Sequence, residues 1–141
     1  MKGTFLALEG IDGCGKTTQL YHLAKWLPNS GLIPHGKKLH LTREPGGTEL
    51  GLKLRELLLN PPKEISPEAI TELLLYSADR AQHVAQLVLP AINRGDWVIT
   101  DRFSGSTYAY QGYGRNLCIE TINQLEKIAT QGILPDLTLW L

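Results

Sequence analysis

The chain has 141 residues, and its 14 basic and 14 acidic side chains cancel to no formal net charge. That balance gives no electrostatic reason to expect nucleic acid or an anionic membrane as a partner, and two cysteines, Cys14 and Cys118, make neither a disulfide framework nor a zinc site. The length suits one domain, no apolar stretch approaches membrane-spanning length and no signal peptide is visible, so a soluble, cytoplasmic protein is expected.

The first predicted element is a strand at Thr4-Phe5-Leu6-Ala7-Leu8, an apolar run suited to burial on both faces. It leads into Glu9-Gly10-Ile11-Asp12-Gly13-Cys14-Gly15-Lys16-Thr17-Thr18, where Gly10, Gly15, Lys16 and Thr17 fill the fixed places of G-x-x-x-x-G-K-[ST]. The chemistry explains the spacing. Glycines let the backbone turn so that successive N–H groups face phosphate oxygens. The helix starting at Lys16–Thr17 adds unpaired N–H groups and the positive end of its dipole. Lys16 brings a cation to the outer phosphates, and the Thr17 hydroxyl is a candidate magnesium ligand. The stretch from Gly10 to Thr18 is therefore a candidate nucleotide-phosphate site. Leu20, Leu23, Ala24 and Leu27 then recur at helical spacing, which supplies the strand–loop–helix context the motif needs.

Pro28-Asn29-Ser30-Gly31 ends that helix, and a polar connection runs to Lys38. A second strand is predicted at Leu39-His40-Leu41-Thr42. It delivers Arg43 to a strand's carboxyl end, where open α/β sheets place ligands. Pro45-Gly46-Gly47 sets a turn, and Thr48 caps a helix carrying Leu50, Leu54, Leu57 and Leu58. Pro61-Pro62 breaks it. Ser66-Pro67-Glu68 is expected to open the next helix with a cap and a first-position proline. On that helix Ile70, Leu73, Leu74, Ser77, Ala81, Val84, Ala85 and Val88 form one face, and Glu72, Tyr76, Asp79, Arg80 and His83 form the other, which is usually solvated. Pro90 should kink or end the helix.

A third strand, Trp97-Val98-Ile99-Thr100, presents Asp101-Arg102-Phe103. An acid at the end of a buried strand in a phosphate-loop protein is a candidate for holding magnesium. The segment Ser104 to Arg115 is dense in hydroxyls and aromatic rings, Ile119 to Ala129 reads as a helix, and Leu137 to Leu141 reads as a fourth strand. A domain rarely ends on a bare apolar strand, so further chain beyond Leu141 is expected. The alternation of strands and helices argues for an α/β fold with a parallel sheet.

Four blocks together carry a resemblance: Glu9 to Gln19, Thr42-Arg43-Glu44-Pro45-Gly46-Gly47-Thr48, Leu74-Leu75-Tyr76-Ser77-Ala78-Asp79-Arg80 and Asp101-Arg102-Phe103. In order and spacing they resemble thymidylate kinase over the whole chain, and the second block is far more specific than the phosphate loop. The resemblance implies a three-layer P-loop NTPase fold of the nucleoside monophosphate kinase type, with helices on both faces of the parallel sheet. It implies transfer of the γ-phosphoryl of ATP to dTMP, with Mg2+, in a homodimer. Lys16, Arg43, Asp101 and Arg102 would carry the catalytic roles, with Thr17 and Asp101 as metal candidates. Asp12 would reach the 3′-hydroxyl of the acceptor sugar, and Arg43 and Arg102 would grip the acceptor phosphate. Tyr76 would lie under the thymine base and Arg80 would bond its edge. Tyr110 would exclude a ribose hydroxyl, and Ser106 and Gln111 would line the same pocket.

Some relatives carry a catalytic arginine at the place of Gly13, and others supply arginines from a lid after the fourth strand. These residues contain neither, nor the family's adenine-binding segment and fifth strand. The expectation is a domain that binds acceptor and phosphates but turns over poorly unless completed. Cys14 is expected to react with thiol reagents under protection by ATP. Three rivals stay open: another P-loop nucleotide or nucleoside kinase, a non-catalytic nucleotide-binding fragment, and a small ATP-dependent ligase or synthetase of this fold. A GTP-dependent switch would need an Asn-Lys-x-Asp segment, which does not occur here.

Overall fold

Alternate residues of the first strand point to opposite faces of the sheet, and each face has its own apolar core. Phe5 and Ala7 meet Val84, Val88, Ala91, Ile92, Val98 and Phe103 on one side. Leu6 and Leu8 meet Leu20, Leu27 and Ile99 on the other. Such double coverage is why β1 (Phe5–Glu9) is buried at every position. The structure, a computed structural model, describes residues 2–62, 64 and 66–141.

Among the described residues β1, β2 (Leu39–Arg43), β3 (Trp97–Asp101) and β4 (Leu137–Trp140) form one sheet in the order β2-β3-β1-β4. All three pairings are parallel, with Leu8 opposite Asp101 and Arg43 opposite Asp101 in register. The expected α/β architecture with a parallel sheet is present, with helices on both faces. Because the strands are parallel, their carboxyl ends gather at one edge. That edge receives the loop after β1, the turn after β2 and Asp101-Arg102 after β3.

The helices are α1 (Lys16–Trp26), α2 (Glu49–Leu59), α3 (Ala69–His83), α4 (Leu89–Asn93), α5 (Ser104–Thr107) and α6 (Ile119–Thr130). Thr48 caps α2 as expected, its side chain accepting from the Gly51 N–H at 2.9 Å. No described helix is long and apolar enough to cross a membrane.

Three sequence expectations need correction. The cap of α3 is Glu68, not Ser66, and Pro67 lies before the helix rather than at its first position. Pro90 does not end the helix, which runs on from α3 through a π-helical turn at Val84–Val88 into α4, whose second residue is Pro90. The two faces of α3 are also not as the pattern suggests. Ile70 and Leu74 are exposed, whereas Asp79, Arg80 and His83 are buried. Their burial is sustained by partners far away in sequence, which a local period cannot reveal.

Candidate functional site

Three glycines shape the loop between β1 and α1, with φ of 149° at Gly10, 81° at Gly13 and 95° at Gly15. At Gly10 the constraint is also spatial, since a Cβ there would lie 2.7 Å from both the Cys14 Sγ and the Leu141 carbonyl oxygen. Lys16 is buried and donates from Nζ to the Gly10 and Ile11 carbonyls at 3.0 and 2.7 Å. The Cys14 Sγ lies 3.8 Å from the same ammonium. On the next residue the Thr17 hydroxyl donates to Asp101 Oδ2 at 2.9 Å, tying the first turn of α1 to the end of β3. A cavity of about 700 Å³ opens over this loop. Asp12, Gly13, Gly15, Lys16, Thr17 and Thr18 line it, together with Arg43, Asp101 and Arg102. Gly10 and Ile11 hold the loop through their carbonyls instead of lining this cavity, and Cys14 donates its backbone N–H to Ile11 at 3.4 Å.

A second cavity of about 250 Å³ adjoins the first, and the two share Asp12, Glu44, Arg55 and Arg102. Its lining includes Tyr76, Arg80, Phe103, Ser106, Tyr110 and Gln111. Arg102 stands between them with φ of 75°, a left-handed backbone that is strained for arginine. Its guanidinium donates to Ser106 Oγ at 2.8 Å and Asp12 Oδ1 at 2.7 Å, and lies 5.3 Å from the centre of the Tyr110 ring. Burial works to lower its pKa, but the bond to Asp12 and the neighbouring Tyr110 raise it above the ordinary value. Burial raises that of the Tyr76 hydroxyl, and Glu72 adds to the effect.

Arg80 is buried and clamped. Its Nε donates to Glu44 Oε2 at 2.7 Å, and its Nη1 donates to Thr107 Oγ1 at 2.8 Å and to Glu126. Burial alone would lower the guanidinium pKa, yet Glu44 and Glu126 raise it. Glu44 Oε1 in turn bonds His83 Nδ1 at 2.7 Å, and His83 Nε2 meets Thr42 Oγ1 at 2.8 Å. Sequence pattern assigned Arg80 and His83 to a solvated face; they are the centre of a buried polar network.

Arg43 lines the loop cavity and a groove along α2, but not the smaller second cavity. Two residues that sequence reasoning missed stand closer to the junction. Arg55 lines both cavities and donates to the Pro45 carbonyl at 2.8 Å. Its only mark in the sequence is its place on the helix that follows the Pro45-Gly46-Gly47 turn, one turn past Gly51. Glu9, the buried last residue of β1, accepts from the Phe103 and Ser106 N–H groups at 2.9 and 3.2 Å and from Ser106 Oγ at 2.6 Å. It thereby fixes the segment that carries Arg102. No local pattern marks it.

The family model described as Thymidylate kinase matches residues 8–141. The chain is 70% identical over 141 residues to the thymidylate kinase of Prochlorococcus marinus (strain MIT 9313), covering all of this chain and 65% of that protein. It is 67% identical to the thymidylate kinase of Synechococcus sp. (strain WH7803), again over its whole length and 66% of the relative. The chain thus spans a little under two thirds of the length of these curated relatives. The crystal structure of thymidylate kinase from Ehrlichia chaffeensis superposes with a TM-score of 0.87 at 38% identity, covering 99% of this chain and 72% of that one. The matched span runs from the end of β1 to β4, through all the elements that build both cavities, and so the chain belongs to the thymidylate kinase family.

Proposed function

We propose that these residues form the donor-phosphate and acceptor sites of a thymidylate kinase, which transfers the γ-phosphoryl of ATP to dTMP. The observation that carries the reading is the junction at Arg102, where a phosphate-loop cavity meets a smaller cavity walled by Tyr76, Phe103 and Tyr110. Phosphoryl transfer asks little covalent chemistry of a protein; it asks that two anions be held in line and their charge offset. Loop N–H groups and Lys16 would hold the outer phosphates of ATP. Arg102, supported by Ser106 and Asp12, would hold the acceptor phosphate with the planar fork that suits two oxygens at once. Arg43 and Arg55 add positive charge around the same junction. Asp12, Tyr76, Arg80, Tyr110 and Gln111 would fix the sugar and base.

Thr17 and Asp101 place two oxygen donors 2.9 Å apart beside Lys16, and an all-oxygen set suits a hard divalent cation. These two side chains would hold Mg2+, which would offset charge on the transferring phosphate. We read the chain further as cytoplasmic and as half of a homodimer, the latter supported by the exposed leucines of α2 and the exposed Ile70 and Leu74 of α3.

The test is equilibrium binding of dTMP beside dUMP, ribo-TMP, AMP and CMP. Selective dTMP binding, weakened at least about tenfold by Arg102→Ala and by Tyr76→Ala, is expected. Binding of ATP with no monophosphate bound would overturn the acceptor assignment.

A further inference from the structure

Gln111 is buried where the π-helical segment Tyr108–Gly114 faces α3. Its Nε2 donates to Glu72 Oε1 at 2.7 Å, while Arg115 donates to the other oxygen, Oε2, at 2.7 Å. Burial pushes the Glu72 carboxyl upward, but these two bonds overcome it and hold the pKa below the ordinary value, so Glu72 is a carboxylate. A carboxylate only accepts hydrogen bonds. It can therefore take the NH2 arm of Gln111 and never the carbonyl arm, which chooses between the two orientations of an otherwise ambiguous amide. The carbonyl oxygen has no hydrogen-bond donor among the described residues, and it is the arm left for the cavity that Gln111 lines.

On the same cavity Arg80 has given Nε and Nη1 to Glu44, Thr107 and Glu126, which leaves Nη2 as its remaining donor. Where Arg80 and Gln111 line it, the cavity then offers a donor from Arg80 and an acceptor from Gln111, in that order. That order complements a ring carbonyl next to a ring N–H, the imide edge of thymine or uracil. It opposes the amine and bare ring nitrogen of cytosine, which would meet a donor with a donor and an acceptor with an acceptor. We infer that Glu72, without touching the ligand, is a positioning residue that sets the base preference of this site by fixing which arm of Gln111 faces the cavity. The inference rests on the reading of this cavity as the acceptor-base site.

The experiment is calorimetric binding of dTMP, dUMP and dCMP to the wild-type chain, Glu72→Gln and Arg115→Met, with thermal unfolding of each. An amide at position 72 both donates and accepts, so it frees Gln111 to turn. Glu72→Gln should lose at least about tenfold of the preference for dTMP over dCMP. The ratio of dTMP to dUMP, which share the imide edge, should stay the same. Arg115→Met removes the brace but leaves the carboxylate, and it should keep the dTMP preference over dCMP within about twofold. Gln111→Met removes the amide outright and should lose the preference regardless of how Glu72→Gln folds. An unchanged preference in Glu72→Gln or Gln111→Met, or an equal loss in Arg115→Met, would overturn the role of Glu72 while leaving the acceptor assignment standing. A wild-type chain that binds no pyrimidine monophosphate would overturn both.

Discussion

Arg102 and Asp12 are 90 residues apart in sequence, and their side chains meet at 2.7 Å where the two cavities join. Asp12 is almost wholly exposed while Arg102 is largely covered, so the pair bridges solvent and interior. In the proposed reaction both residues serve the acceptor, from the point where its site opens onto the phosphate loop.

The strain at Arg102 separates folding from binding. Arg102→Gly relieves a positive φ that costs an arginine about 1 kcal/mol, while deleting the guanidinium. The variant should unfold no earlier than wild type in a thermal melt, and should lose acceptor binding at least about tenfold. A marked drop in melting temperature would mean that the Asp12 and Ser106 bonds outweigh the backbone strain.

Asp79 should make stability pH-dependent. Burial, with repulsion from Glu44 adding and the Gly46 N–H opposing, raises its pKa from 3.8 to about 6. The folded chain then binds a proton between these values that the unfolded chain does not. Stability contributed by this group therefore rises as pH falls from about 6 towards 4, and is lost as pH rises through 6. The charged form at neutral pH costs about 3 kcal/mol at most. Asp79→Asn keeps an oxygen for the Gly46 N–H, bonded at 3.0 Å in the wild type. It should raise stability at pH 7–8 and flatten the dependence in this window, as read by denaturant unfolding at stepped pH.

Gly51 is where α2 and α3 approach closely. A Cβ would lie 2.5 Å from Asp79 Oδ1 and 3.0 Å from Thr48 Oγ1. Alanine is the better helix former, yet Gly51→Ala should destabilise by about 1–3 kcal/mol, because neither neighbour can retreat without losing its bond to Gly46 or to the α2 N-terminus. A denaturation midpoint at or above that of wild type would contradict this.

The two thiols should respond differently to nucleotide. Cys14 is half-buried inside the phosphate loop, and Cys118 is exposed. Backbone N–H groups of Thr121 and Glu120, at the start of α6, lower the pKa of Cys118. Alkylation followed by peptide mass analysis should find Cys118 modified whether or not ATP is present, and Cys14 protected by ATP. Equal labelling of Cys14 in both conditions would place the nucleotide elsewhere.

How much was legible in the sequence depends on how local each cause is. The phosphate loop depends on glycines a few residues apart and a helix start, so spacing revealed it, as it revealed the Thr48 cap. The edge where Arg43 and Asp101 stand follows from strands being parallel, which the alternation of elements implies. Helical spacing puts Asp79, Arg80 and His83 on the wrong face because Gly46, Glu44 and Glu126 hydrogen-bond them from other elements. Glu9 was invisible for the same reason, its partners Phe103 and Ser106 lying beyond four intervening helices, α1 to α4. Tyr76 and Arg80 were recognisable as a pair only through the four-block resemblance; helical spacing alone reads them as solvated.

The clamp on Arg80 constrains how this family member can diverge. Replacing Arg80 by an apolar residue would leave Glu44 and Glu126 as buried carboxylates with no cation between them, a loss of about 3–5 kcal/mol when one partner of a buried pair is removed. That is a large share of a small domain's whole stability. A new base preference at this position therefore requires concerted change just after β2, on α3 and on α6, and single substitutions along that route pass through a barely folded chain. Gln111 and Glu72 carry no such burden, so variation in what the cavity accepts has its open path there.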